Sequence, residues 1–152
     1  MSYAVAVPGP PADPPVGLVL TGAAREVGRA FDAALTAAGG SLSTWLVLLS
    51  LATRATASQR ELAEAVGIQG ATLTHHLAGM ERDGLVTRHR DPANRRVHRV
   101  ELTGDGRAAF HRLRTVAVEH DRRLREGLTE TELETTRRVL ARMRANVSPS
   151  GG

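Results

Sequence analysis

The chain has 152 residues, a formal net charge of +4, 41% hydrophobic residues and no cysteine. That length suits one domain whose core is helped by burial in an oligomer. The missing cysteines exclude a disulfide framework, a thiolate redox switch and a Cys-based metal site, and no run approaches the ~18 uninterrupted apolar residues of a membrane span.

Residues 1–15 hold five prolines (Pro8, Pro10, Pro11, Pro14 and Pro15) and are expected to form an extended, disordered arm. No basic region precedes an apolar core there, so the arm does not read as a secretory signal, and the chain is expected to be cytoplasmic. A helix is predicted over about 16–38, with Leu20, Ala24, Val27, Phe31 and Ala34 or Leu35 on one face. Within it, the run from Thr21-Gly22 to Gly28 resembles the Thr-Gly-x-x-x-Gly-x-Gly loop of short-chain dehydrogenases. The middle glycine is Glu26, whose carboxylate would block and repel a pyrophosphate. No βαβ alternation follows, the only tyrosine is Tyr3, and all 20 basic residues are arginine, so a Tyr-Lys pair is impossible. An enzyme is not expected.

Gly39-Gly40 breaks that helix, and Leu42 to Ala52 reads as a nearly all-apolar buried helix around Trp45. Ser58-Gln59-Arg60-Glu61 is a capping box. Leu62, Ala63 and Val66 then form an apolar stripe, and Gly67 follows where the chain must turn. A second helix pattern runs from Gly70 to Arg82, with Leu73, Leu77 and Met80 inward. The spacing of Ala63, Gly67 and Leu73 is that of a helix-turn-helix: a small residue at the crossing, a glycine at the turn, and an aliphatic plug. Leu85 to Arg90 reads as a strand, Asp91-Pro92-Ala93-Asn94 as a turn, and Arg95 to Leu102 as the returning strand. Residues 88–99 of this hairpin hold five arginines (Arg88, Arg90, Arg95, Arg96 and Arg99) against the single acid Asp91. Guanidinium groups at such a tip suit phosphates or a narrow minor groove.

Thr103 is expected to cap a long helix with Phe110, Leu113, Ala117, Leu124 and Leu128 on its apolar side. Thr129-Glu130-Thr131-Glu132 is a second capping box and opens a last helix with Leu133, Leu140, Met143 and Val147 inward. Residues 148–152 read as a disordered tail. The apolar positions of these terminal helices recur near every 3.5 residues between dense charges, the pattern of helices packing on helices. Four of the six histidines (His75, His76, His89 and His98) fall in the helix-turn-helix and hairpin; none pairs at i, i+4, and no metal site or cofactor is expected.

The run from Ser58 to Gly67, then Thr72-Leu73-Thr74, Gly84-Leu85-Val86, Arg88, the Asp91 to Arg96 turn and Leu102 to Gly106 resembles the MarR family of bacterial transcription regulators. The resemblance is densest over these residues and extends through the helical flanks to 16–147. Two departures stand out: Asn94 where the family's wing usually has an acid, and His75 where many members carry arginine. The resemblance implies a mainly α fold with a small β-hairpin wing (α+β). A winged helix-turn-helix at about 41–102 would be flanked by dimerisation helices at about 16–38 and 103–147. It also implies a homodimer on palindromic double-stranded DNA, probed by Gln69, Ala71, Thr72, Thr74 and His75 of the second helix. Arg88, Arg95 and Arg96 are the expected contacts of the wing, steadied by Asp91. A small aromatic or anionic effector is implied as well, for which Arg25, Arg29 and Arg114 are the candidate partners. An architectural DNA binder without effector and a winged protein-interaction module are the competing readings.

Overall fold

The computed structural model describes residues 13–54 and 56–148. Most of the proline-rich arm and the last four residues therefore lie outside the described residues. Helices α1 (Val16–Ala37) and α2 (Leu42–Arg54) are joined through Gly39 at φ 80 and meet at 80°. Strand β1 (Thr56–Ser58), helices α3 (Gln59–Val66) and α4 (Gly70–Arg82), and strands β2 (Val86–Arg90) and β3 (His98–Leu102) follow. Helices α5 (Gly104–Leu124) and α6 (Glu130–Val147) complete the order.

The helix starts follow the local chemistry. Ser58 Oγ accepts from the Glu61 amide and Glu61 accepts from the Ser58 amide, so two orphan donors at the start of α3 are satisfied. Thr129 and Glu132 repeat this at α6, and Thr103 Oγ1 accepts from the Gly106 amide at α5. Gly67 ends α3 in the left-handed region at φ 72, which lets α4 turn away sharply.

The core is one cluster built on α2, the helix-turn-helix and the start of α5. Trp45, Val47, Leu48 and Leu51 of α2 meet Leu62 of α3 and Leu73, Leu77 and Met80 of α4. Val86, Val100, Ala109 and Leu113 close it. Phe110 stacks on Trp45 with ring centroids 5.6 Å apart.

The sheet differs from the expected two-stranded hairpin. It has three antiparallel strands in the order β1-β3-β2, with Ala57 opposite Val100 and Arg88 opposite Val100 on the other edge. Three residues of β1 are too short for an alternation to register. The returning strand also begins later than expected, at His98 rather than Arg95. Asp91 and Asn94 each accept, through side-chain oxygens, the amide two residues on, at 2.8 Å from Ala93 and 3.1 Å from Arg96. These two consecutive Asx turns hold Arg95 and Arg96 in the loop and out of the ladder.

The terminal helices are less covered than their stripes suggest. Leu35 is the only fully buried residue of α1, and α6 has none. Of the positions expected inward on α6, Leu133 and Met143 are half-buried, while Leu140 and Val147 are exposed. Leu20 and Val27 of α1 and Leu124 at the end of α5 are exposed too, as is Leu128, which lies past α5 in the connection to α6 rather than on the helix as expected.

Candidate nucleic-acid interface

Helix α4 is held from below and open on its outer face. Leu73 and Leu77 are fully buried, which fixes the rotation of the helix about its axis. Because residues one and two positions from these anchors point elsewhere, Ala71, Thr72, Thr74 and His75 are exposed, and Gln69 and Gly70 are exposed at the open N-terminal end of the helix. Gln69 is the N-cap residue but makes no side-chain cap bond, so its amide is not consumed by the helix end. Thr74 is engaged: Oγ1 donates to the Gly70 carbonyl at 2.9 Å and accepts from Gln59 Nε2 at 3.0 Å. His76 turns inward from its exposed neighbour. Its Nε2 is buried without a partner, and burial, with the charge of His75 adding, holds its pKa below the ordinary value.

The wing stands beside this face. At its tip Asp91 accepts from Arg99 Nε at 2.8 Å and from the Ala93 amide, and these bonds, Arg99 first, hold its carboxyl below the usual range. Asp91 therefore has the structural place expected of it, and Arg99 is the partner that sequence reading did not single out. The eight-residue spacing of an acid and an arginine across a turn is the signal that was available. Asn94 uses its side-chain oxygen to accept the Arg96 amide. Arg95 and Arg96 are exposed and form no ion pair among the described residues.

Arg88 is placed differently from Arg95 and Arg96. Its Nε and Nη2 both donate to Glu81 Oε2, at 3.0 and 2.7 Å, and its amide reaches Oε1. The fork is half-buried and ties the last turn of α4 to β2. The same fork holds the Glu81 carboxyl below its ordinary pKa. Between α4 and the wing lies a polar cleft of about 400 Å³ lined by Gln59, Thr74, Glu81, Arg88 and His98. Gln59, at the start of α3, was not among the expected site residues.

The three candidate effector residues do not converge. Arg114 lines an aromatic cleft of about 280 Å³ between α2 and α5, with Trp45, Leu49, Phe110, Ala117, Val118 and Asp121. Arg25 and Arg29 lie on the exposed part of α1, where Arg29 Nε donates to the Arg25 carbonyl. Neither lines that cleft. Among the described residues no group of three or more His, Asp or Glu could hold a metal ion.

A sequence model described as the MarR family matches residues 41–98, from the start of α2 to the start of β3. An uncharacterized HTH-type transcriptional regulator of Bacillus subtilis (strain 168), YdgJ, is 35% identical over 133 residues, which is 85% of this chain and 77% of the relative. Among solved structures, the transcriptional repressor CouR bound to a 23-mer DNA duplex superposes with a TM-score of 0.77 at 29% identity. The match covers 85% of this chain and 92% of that one. A mutant of MarR from E. coli complexed with operator DNA gives a TM-score of 0.78 over 85% of this chain and 93% of that one, at 22% identity, a likeness of fold.

Proposed function

The chain belongs to the MarR family of transcription regulators, and on that premise we propose that it is a homodimeric repressor binding a palindromic operator. The observation that carries the DNA reading is the open outer face of α4 beside a wing tip with two unengaged arginines. An exposed helix with short polar side chains fits a major groove, and a guanidinium-bearing loop at its flank fits phosphates or the adjacent minor groove. In this reading Gln69, Ala71, Thr72, Thr74 and His75 face the bases or backbone from α4. Arg95 and Arg96 supply the wing contacts. Arg88 acts through Glu81, holding the wing at its angle to α4, and reaches a phosphate only by giving up that fork.

The uncovered apolar sides of α1, α5 and α6 support the homodimer. A two-fold pair would cover them and would set two α4 helices about one duplex turn (~34 Å) apart, as a palindrome requires. Release by a small aromatic or anionic molecule is part of the proposal, and Arg114 is the arginine placed for it, beside Trp45 and Phe110. A ligand releases DNA only by binding the two conformations unequally, and a cleft between α2 and α5 touches helices that join the winged unit to the dimer seam.

In vitro selection from random duplexes, followed by gel-shift titration at two salt concentrations, tests the reading. One enriched palindrome with salt-dependent affinity is expected. Binding without enrichment would favour an architectural role, and no binding would leave a protein-interaction module.

A further inference from the structure

Thr74 lies at the DNA-facing surface of α4 with its hydroxyl already spent. The Gly70 carbonyl can only accept, so the single hydroxyl hydrogen goes to it, across 2.9 Å. The Gln59 amide must then present Nε2 to Oγ1, which it does at 3.0 Å. Two partners fix χ1 of this β-branched residue, one in its own helix and one at the start of α3. Neither partner is free to drift: α3 is pinned by the Ser58–Glu61 capping box and by Leu62, and α4 by Leu73.

A threonine in this state has no proton to give. Adenine N7, guanine N7 and O6, and thymine O4 are all acceptors, and Thr74 can satisfy none of them without breaking its bond to Gly70. What the exposed residue has left to offer is one lone pair on Oγ1, which only an adenine or cytosine amino group could use, and its Cγ2 methyl group. The major groove presents one apolar feature that matches, the C5-methyl of thymine. We propose that Gln59 is a positioning residue that locks Thr74, and that Thr74 reads one thymine in each half-site through methyl–methyl contact. This inference rests on operator binding as proposed above.

The test begins with the duplex that the wild-type protein selects from a random pool. Each thymine is replaced in turn, symmetrically in both half-sites, by deoxyuridine, which lacks only the methyl. One position is expected at which wild type loses about threefold to fivefold in affinity per half-site, the worth of burying one methyl group. Thr74→Val keeps a methyl whose χ1 is held in a helix by valine's own branching, without the two hydrogen bonds, and should keep that penalty, whereas Thr74→Ser should bind the thymine and uracil duplexes alike. Gln59→Ala should shrink the penalty at that one position while leaving affinity for a mixed-sequence duplex unchanged, which a general loss of structure would not do.

Four results would overturn the inference in whole or in part. Retention of the penalty by Thr74→Ser and its loss in Thr74→Val would make the hydroxyl the reader. An enriched operator with no uracil-sensitive position would remove the methyl contact while leaving operator binding intact. A pool that yields no enriched sequence would remove operator binding and this inference together. Full selectivity in Gln59→Ala would strip Gln59 of its positioning role.

Discussion

Arginines of one wing differ in what they are free to do, and the difference follows from their neighbours. Arg99 is held by Asp91 and Arg88 by Glu81, whereas Arg95 and Arg96 are exposed without an ion pair among the described residues. Arg96→Ala is therefore expected to weaken specific binding by about 1–3 kcal/mol, the range for loss of a good DNA contact, with unchanged circular dichroism. Equal affinity of variant and wild type in a gel-shift titration would take Arg96 off the interface. His76 carries the second expectation at this scale. Its pKa is lowered from 6.5, so the unfolded chain takes up a proton in acid before the folded one does. A base whose folded pKa is depressed adds no penalty above its ordinary pKa, and folding stability falls as the pH drops from 6.5 towards the folded value. His76→Leu, which also removes the unpartnered Nε2, should flatten that limb when urea unfolding is compared at neutral and mildly acidic pH. If the two proteins lose stability in parallel, the buried imidazole is not the cause.

Elements were legible in the sequence wherever a local rule sets them. The capping residues Ser58, Thr103 and Thr129, the turn glycine Gly67, and the anchors Leu73, Leu77 and Met80 announce themselves by spacing, because each acts within a few residues of its partner. The pairings that span the fold were not legible. Strand β1 exists because β3 offers it an edge, and Gln59 meets Thr74 fifteen positions away only after the helix-turn-helix has folded. The tip loop ran longer than a four-residue turn because Asn94 adds a second Asx turn to that of Asp91. Two glycines at the start of α5 show how such tertiary contact changes what a residue is for. A side chain at Gly104 would meet nothing within 4 Å, whereas a Cβ at Gly106 would overlap the Leu85 carbonyl just before β2. Gly104→Ala is expected to be neutral or slightly stabilising, since alanine is the better helix former. Gly106→Ala should lower stability by about 1–3 kcal/mol, the usual cost of overpacking, by pushing α5 off the strand. Thermal melting of the two variants side by side checks this, and equal melting temperatures would contradict it.

At the scale of the whole molecule, the chain divides into a part that is finished and a part that is not. The buried core draws on α2, α3, α4, the sheet and the start of α5, with Leu35 alone from α1 and nothing from α6. Meanwhile Val16 and Leu18 are 63% and 67% exposed, Leu128 is 49% exposed, and Val139 and Leu140 lie open on α6. So many exposed apolar side chains recurring along the terminal helices support the proposed interface, since a few scattered ones would need no explanation. The stripe at 3.5-residue spacing and its place on dimerisation helices were readable in the sequence; which of its residues stay uncovered by their own chain was not, because periodicity gives a face and no partner. A charge placed on that stripe separates the two parts of the molecule. Leu140→Asp should cost the dimer the desolvation of a carboxylate in each copy, while the winged unit, which buries nothing from α6, keeps its fold. The expected result is a monomer by light scattering with near-native circular dichroism and a sharp loss of operator affinity, since in the proposed complex each α4 reads one half-site and two must be tethered to bind a palindrome cooperatively. A variant that remains dimeric with an unchanged melting profile would move the seam away from Leu140 and onto the exposed half of α1.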